Sequence, residues 1–218
     1  MQVAIEQDES TIHSQICLLP QEIEKLFEAA QMGASGALNA LHDFTGIYTD
    51  IHLNCLSFMP LPVLIDRIRL YYPDHIAFHL RFAGEINGEI YTFFQEKDAI
   101  TLIRQMMGPR WLKNNKILNR MEISMLTELV NILSNSFWRS LTEKASLNWW
   151  FTPPARISNL ERVLNYSAKV YLIDYLLVHY EYLIEALGIR VQLIMLPTKS
   201  TMKKILSKLN PLPLQEIE

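Results

Sequence analysis

Two cysteines in 218 residues, Cys17 and Cys55, are too few and too far apart for a disulfide scaffold or a thiolate metal site. They read as reduced, packed thiols. Neither sign of charge dominates: 20 Lys and Arg stand against 23 Asp and Glu, a net charge of -3 with a pI near 6.1. Nothing in that balance draws the chain to nucleic acid or an anionic membrane. The opening Met1-Gln2-Val3-Ala4-Ile5-Glu6 has neither a basic n-region nor an apolar h-region. No apolar run approaches the roughly 18 residues that span a bilayer, so a cytoplasmic protein is expected. Also missing are a Gly-x-Ser-x-Gly elbow, a P-loop and a dinucleotide fingerprint, which leaves nucleophilic and nucleotide chemistry without a foothold. His75 and His79 have the spacing of a metal pair only on a helix, and their segment reads as strand. There is no low-complexity linker, and residues 1–18 and 210–218 read as tails.

What is present is a chain half hydrophobic, long enough to bury a full core. Its main regularity is a repeat with an offset of about one hundred residues, over about 19–108 and 118–209. Leu19-Pro20-Gln21-Glu22 opens a helix whose apolar positions run through Ile23, Leu26, Phe27, Ala30, Ala34, Ala37 and Leu41 to Gly46. Asn119, followed three residues later by Glu122, reads as a capping box for a second helix carrying Ile123, Leu126, Val130, Leu133, Phe137 and Leu141. Each helix leads into strand-like sequence, Ile47–Phe58 in one half and Trp149-Trp150-Phe151 in the other, followed by Met59-Pro60 and by Thr152-Pro153-Pro154. The aromatic triplet reads as core or strand-end packing ahead of a partner-binding patch. A strand pair and a short helix close each half. In the first, Ile76–Phe82 and Glu89–Phe94 flank a Gly-bearing hairpin connection, then Asp98–Met107 ends at Gly108; in the second, Lys169–Tyr180 and Ile189–Leu196 flank Gly188, then comes Ser200–Leu209. These elements predict a single α+β domain with pseudo-twofold duplication, in which antiparallel strands form the centre and two long helices lie side by side on one face.

On the second long helix, Ser124, Glu128, Asn131 and Asn135 fall at i, i+4, i+7 and i+11. At about 100° per residue they share a stripe roughly 60° wide, opposite Leu126, Leu129, Leu133 and Phe137, and are expected to face solvent together. Any amphipathic helix has a polar face. Exposed faces, however, are usually filled with good helix formers, whereas Asn competes with the helix through its own side chain. Two Asn and a Ser in one stripe point to contact with something outside.

The pattern Asp/Ser-x-x-x-Glu-x-x-Asn on a long helix resembles the signature of the CheC, CheX and FliY phosphatases, and stands here as Ser124-Met125-Leu126-Thr127-Glu128-Leu129-Val130-Asn131. The first helix adds Gln31-Met32-Gly33-Ala34-Ser35-Gly36-Ala37-Leu38-Asn39-Ala40-Leu41, where CheC proteins have an Asn-Ile-Gly-x-Gly-Asn-Ala run. With the Gly84 and Gly88 hairpin, the resemblance spans about Pro20 to Leu209. It implies a phosphatase acting on the aspartyl phosphate of a CheY-like response regulator in chemotaxis or related two-component signalling. By the same resemblance Asn131 orients the attacking water, Glu128 pairs with the Lys beside the phosphorylated Asp, and Ser124 supports that contact; Asn135, outside the motif, is a supporting candidate by its place in the stripe. The Mg²⁺ comes from the regulator, no cofactor belongs to the chain itself, and a CheD-like protein is a further partner to test. The equivalent first-helix triple, Glu24, Glu28 and Gln31, departs from the pattern. Gln is one methylene longer than Asn, so this first site reads as degenerate. Gly33 and Gly36 read as places where a neighbouring element comes close rather than as chemistry. The alternative from another class is a noncatalytic binding module, like FliM, which shares the CheC fold without the triple.

Overall fold

A computed structural model describes residues 20–46, 50–58, 61–108, 118–171 and 178–209. Both expected tails, Cys17 and Met59-Pro60 lie outside these residues. Helix α1 (Pro20–Thr45) starts on a proline, whose missing N–H is no loss at a helix start, and has Glu22 in its first turn. It stops at Gly46, which takes φ +68° and donates its N–H to the His42 carbonyl at 2.8 Å. Strand β1 (Ile51–Phe58), helix α2 (Leu61–Tyr71), the hairpin β2 (His75–Gly84) and β3 (Gly88–Gln95), and helix α3 (Glu96–Met107) complete the first half. The second half runs α4 (Arg120–Ala145), β4 (Trp149–Phe151), β5 (Ala155–Ile157), α5 (Leu160–Tyr171), β6 (Val178–Ile184), β7 (Ile189–Pro197) and α6 (Lys199–Leu209).

All seven strands join one antiparallel sheet in the order β1-β6-β7-β3-β2-β4, with β5 also pairing β2. Exchanging the halves, β1 for β4 and β5, β2 for β6 and β3 for β7, returns the same order reversed. The sheet therefore carries the expected pseudo-twofold, which passes between β3 and β7 near the facing pair Thr92 and Leu193. Strand alternation divides the sheet into two apolar faces. Ile76, Phe78, Leu80, Phe82, Ile90, Phe94, Tyr180, Tyr182, Val191, Leu193 and Met195 meet α1, α3, α4 and α6. Ala77, Tyr91, Phe93, Ile194 and Leu196 meet α2 and α5 through Leu64, Ile65, Ile68, Leu160 and Leu164. On the first of these faces α1 and α4, both 26 residues long and starting one hundred residues apart, pack along each other.

The structure differs from the sequence reading in two ways. Helices α2 and α5 occupy segments to which no element was assigned, and Lys169–Tyr171, taken as the start of a strand, is the end of α5, with β6 described over Val178–Ile184. Both helices are short, and α2 packs apolar residues so densely that its periodicity is blurred, while their burial against the far sheet face is tertiary. Of the two glycines in α1, Gly33 is buried and suits a close approach, but Gly36 is exposed and does not serve that role. At the hairpin, a Cβ on Gly88 would lie 2.2 Å from the buried Phe82 ring and 2.6 Å from the Leu196 carbonyl, so close strand contact requires glycine there.

Candidate functional site: the outer face of α4

The site begins at a cap. Asn119 Oδ1 accepts the N–H groups of Met121 at 2.9 Å and Glu122 at 3.1 Å, while Glu122 Oε2 accepts the Asn119 N–H at 2.6 Å. This reciprocal box satisfies donors that the helix start leaves open, and it fixes where α4 starts and hence which residues share each face. The inner face is closed by Leu126, Leu129, Val130 and Leu133, each at most 3% exposed. Burying four such side chains contributes roughly 1.5–3 kcal/mol each, so α4 is held against the sheet.

Opposite them, the structure brings Ser124, Glu128, Asn131 and Asn135 into one stripe. Ser124 and Glu128 are exposed; Asn131 and Asn135 are half-buried. Glu128 makes no hydrogen bond or ion pair among the described residues, leaving its carboxylate available. The two amides are tied together: Asn135 Nδ2 donates to the Asn131 carbonyl at 2.8 Å and to Asn131 Oδ1 at 2.9 Å. The stripe ends at Trp138, which occupies nearly the same angular position but is fully buried, its indole 4.4 Å from Phe82 and 6.4 Å from Trp149 between ring centroids. Periodicity alone missed this anchor, because it assumes one burial direction along the whole helix. The Trp149-Trp150-Phe151 triplet is divided: Trp149 and Phe151 pack beside Trp138 and Phe82, and Trp150 is 63% exposed.

On α1 the equivalent residues Glu24, Glu28 and Gln31 are all exposed. Ser35 stands in the place of Asn135, and its hydroxyl donates to the Gln31 carbonyl at 3.2 Å. The two faces are thus alike in position and unlike in chemistry.

On the α4 side of the sheet burial raises the Tyr180 and Tyr182 hydroxyls, and a further set of displaced groups lies on the opposite sheet face. Burial pushes His79 and His179 below the usual histidine range, and pushes Tyr72 up to about 12 with Glu181 beside it. His179 and Tyr72 belong to polar networks, and His79 stacks on Tyr91 with its Nε2 3.8 Å from Glu89. Glu181 accepts from Gln192 at 2.8 Å, from Arg190 at 3.1 Å and from Tyr72 at 3.1 Å; Glu89 accepts from Tyr91 at 2.6 Å. These bonds compensate buried carboxylates, which is a structural duty. His75 and His79 are on strand β2, as expected, and among the described residues no group of three His, Cys, Asp or Glu could hold a metal ion. An open groove of about 440 Å³ runs over α5, lined by Asn159, Glu161, Arg162, Asn165 and Tyr166, on the far side of the sheet from the stripe. No residue of the α4 stripe lines it. Among the described residues, no helix is long and apolar enough to cross a membrane.

No family profile and no curated protein matches the sequence. Solved structures do match. FliY from Thermotoga maritima superposes with a TM-score of 0.70 at 16% identity, over 89% of this chain and 98% of that one. The FliM middle domain from H. pylori gives 0.64 at 12% identity, over 88% and 99%. A chain of the CheX-CheY-BeF3-Mg complex from Borrelia burgdorferi gives 0.50 at 16% identity, over 81% and 97%. The chain has the fold seen in these structures, with the antiparallel sheet and paired long helices expected from its sequence.

Proposed function

We propose that this chain is a phosphatase for the aspartyl phosphate of a CheY-like response regulator, and that it docks through the outer face of α4. The observation that carries this reading is the pairing, one turn apart on an anchored helix, of an uncommitted carboxylate at Glu128 with an oriented amide at Asn131. Hydrolysis of an acyl phosphate needs a water aligned opposite the leaving carboxylate, and the protein contributes mainly by positioning. Asn131 holds that water by hydrogen bonding. Glu128 pairs with the regulator's Lys beside the phosphorylated Asp and fixes the docking register, with Ser124 one turn earlier at the same contact. The regulator brings the Mg²⁺ that neutralises the phosphoryl oxygens.

A noncatalytic, FliM-like binding module is the second reading, favoured by the likeness to the FliM middle domain and by Gln31 in place of Asn on the first face. Asn131→Ala separates the two. Phosphate release from a phosphorylated regulator should fall by about a hundredfold while binding and helix content persist. Unchanged release in this variant would leave the binding module as the better account.

A further inference from the structure

On the premise that Asn131 is the water-orienting group, we propose that Asn135 is a positioning residue that sets which way round the Asn131 amide faces. The two short contacts between these residues decide the orientation between them. A backbone carbonyl can only accept, so the Asn135 atom 2.8 Å from the Asn131 carbonyl is its Nδ2. That same Nδ2 donates its second hydrogen 2.9 Å away to the Asn131 side chain, where the partner must also be an acceptor, which is Oδ1. Asn131 is thereby turned so that Oδ1 is tied back along the helix and Nδ2 is presented away from Asn135. Both Nδ2 hydrogens of Asn131 are then directed toward the incoming water and phosphoryl oxygens, and one Oδ1 lone pair remains for the water's proton. Donation into Oδ1 also polarises the amide, which strengthens its N–H groups as donors.

The first face shows what is lost without this residue. Ser35, at the equivalent position on α1, has a single hydroxyl proton and uses it on the Gln31 carbonyl at 3.2 Å. It has none left to orient the Gln31 side chain.

The test is a double-mutant cycle on phosphate release from a regulator loaded with acetyl phosphate, read as kcat and KM separately, with binding to the beryllofluoride-loaded regulator as the control. Asn135→Ala and Asn135→Ser should each lower kcat about two- to tenfold at unchanged KM and unchanged binding, because a freely turning amide is reversed about half of the time and also loses the bond that polarises it. In an Asn131→Ala background the same changes at 135 should do nothing further. If Asn131→Ala abolishes turnover while Asn135→Ala leaves kcat at the wild-type value, or if the two losses multiply, Asn135 does not act through Asn131 and this proposal fails while the phosphatase reading stands. If Asn131→Ala is without effect, both fall.

Discussion

The capping box at the start of α4 gives a prediction whose size follows from geometry. In Asn119→Ala the N–H groups of Met121 and Glu122 lose the acceptor now at 2.9 and 3.1 Å, while the third bond, from the Asn119 N–H to Glu122 at 2.6 Å, keeps both of its atoms. All three residues are in contact with solvent, so water replaces the lost acceptor and the penalty is the net value of a cap, about 1 kcal/mol, rather than that of stranded buried donors. For a domain of about 150–250 residues this corresponds to a fall of roughly 2–4 °C in Tm. Asn119→Asp keeps an acceptor of the same reach and adds a favourable charge at the helix start, so it should remain within about 1 °C of the wild type. Differential scanning calorimetry measures both, and amide exchange at Met121 to Ser124 should quicken in the Ala variant alone. Equal Tm values for Asn119→Ala and wild type, or equal losses in the Ala and Asp variants, would refute the cap as the cause of the helix boundary that places the stripe.

Three further outcomes are expected. Glu128→Ala should weaken binding to the beryllofluoride-loaded regulator about three- to tenfold at low ionic strength, with the difference closing above about 0.5 M salt as screening removes the ion pair; equal binding at low salt counts against the docking role. His179, whose pKa is lowered by burial and by Arg67 against the opposing pull of Gln192 and Glu181, favours its neutral form in the fold, so the unfolded chain takes up the proton first as pH falls. Stability is therefore full above the ordinary histidine pKa of about 6.5 and is lost as pH falls below it, and His179→Gln should flatten the fall in urea midpoint between about pH 7.5 and 5.5; an unaltered slope would contradict it. On the first face, Gln31→Asn combined with Ser35→Asn and Glu24→Ser in an Asn131→Ala background should regain measurable phosphate release, whereas Gln31→Asn alone should not, because Ser35 leaves the new amide unoriented. Recovery with Gln31→Asn alone would show that orientation is not what that face lacks.

The parts of the fold that were legible from sequence are those specified locally. Asn119 and Glu122 announce a helix start by chemistry that needs no partner element, Gly46 and Gly108 close helices by backbone conformation, and the duplication is visible because α1 and α4 keep the same register. Helices α2 and α5 were not legible, since what makes them helices rather than apolar strands is Leu64, Ile65, Ile68, Leu160 and Leu164 meeting the second face of a sheet assembled from distant segments. Arg69 and Glu161, paired between these two helices, are likewise unreadable as a pair until the fold exists. Within the site, periodicity gathered Ser124, Glu128, Asn131 and Asn135, but it could not place Trp138, buried by the aromatic end of β2 and β4, or the bond that ties Asn135 to Asn131. Spacing tells which residues share a face, not which of them hold each other.

The central claim concerns turnover, and the decay of a phosphorylated regulator measures it. A panel of response regulators carrying labelled aspartyl phosphate is incubated with this chain at about one part in twenty, and the remaining label is followed in time. The account predicts that at least one regulator loses its label about ten times faster or more than alone, with many phosphates released per chain. Binding of every tested regulator without any acceleration at that ratio would contradict it, and would mark the α4 face as a site of recognition without catalysis.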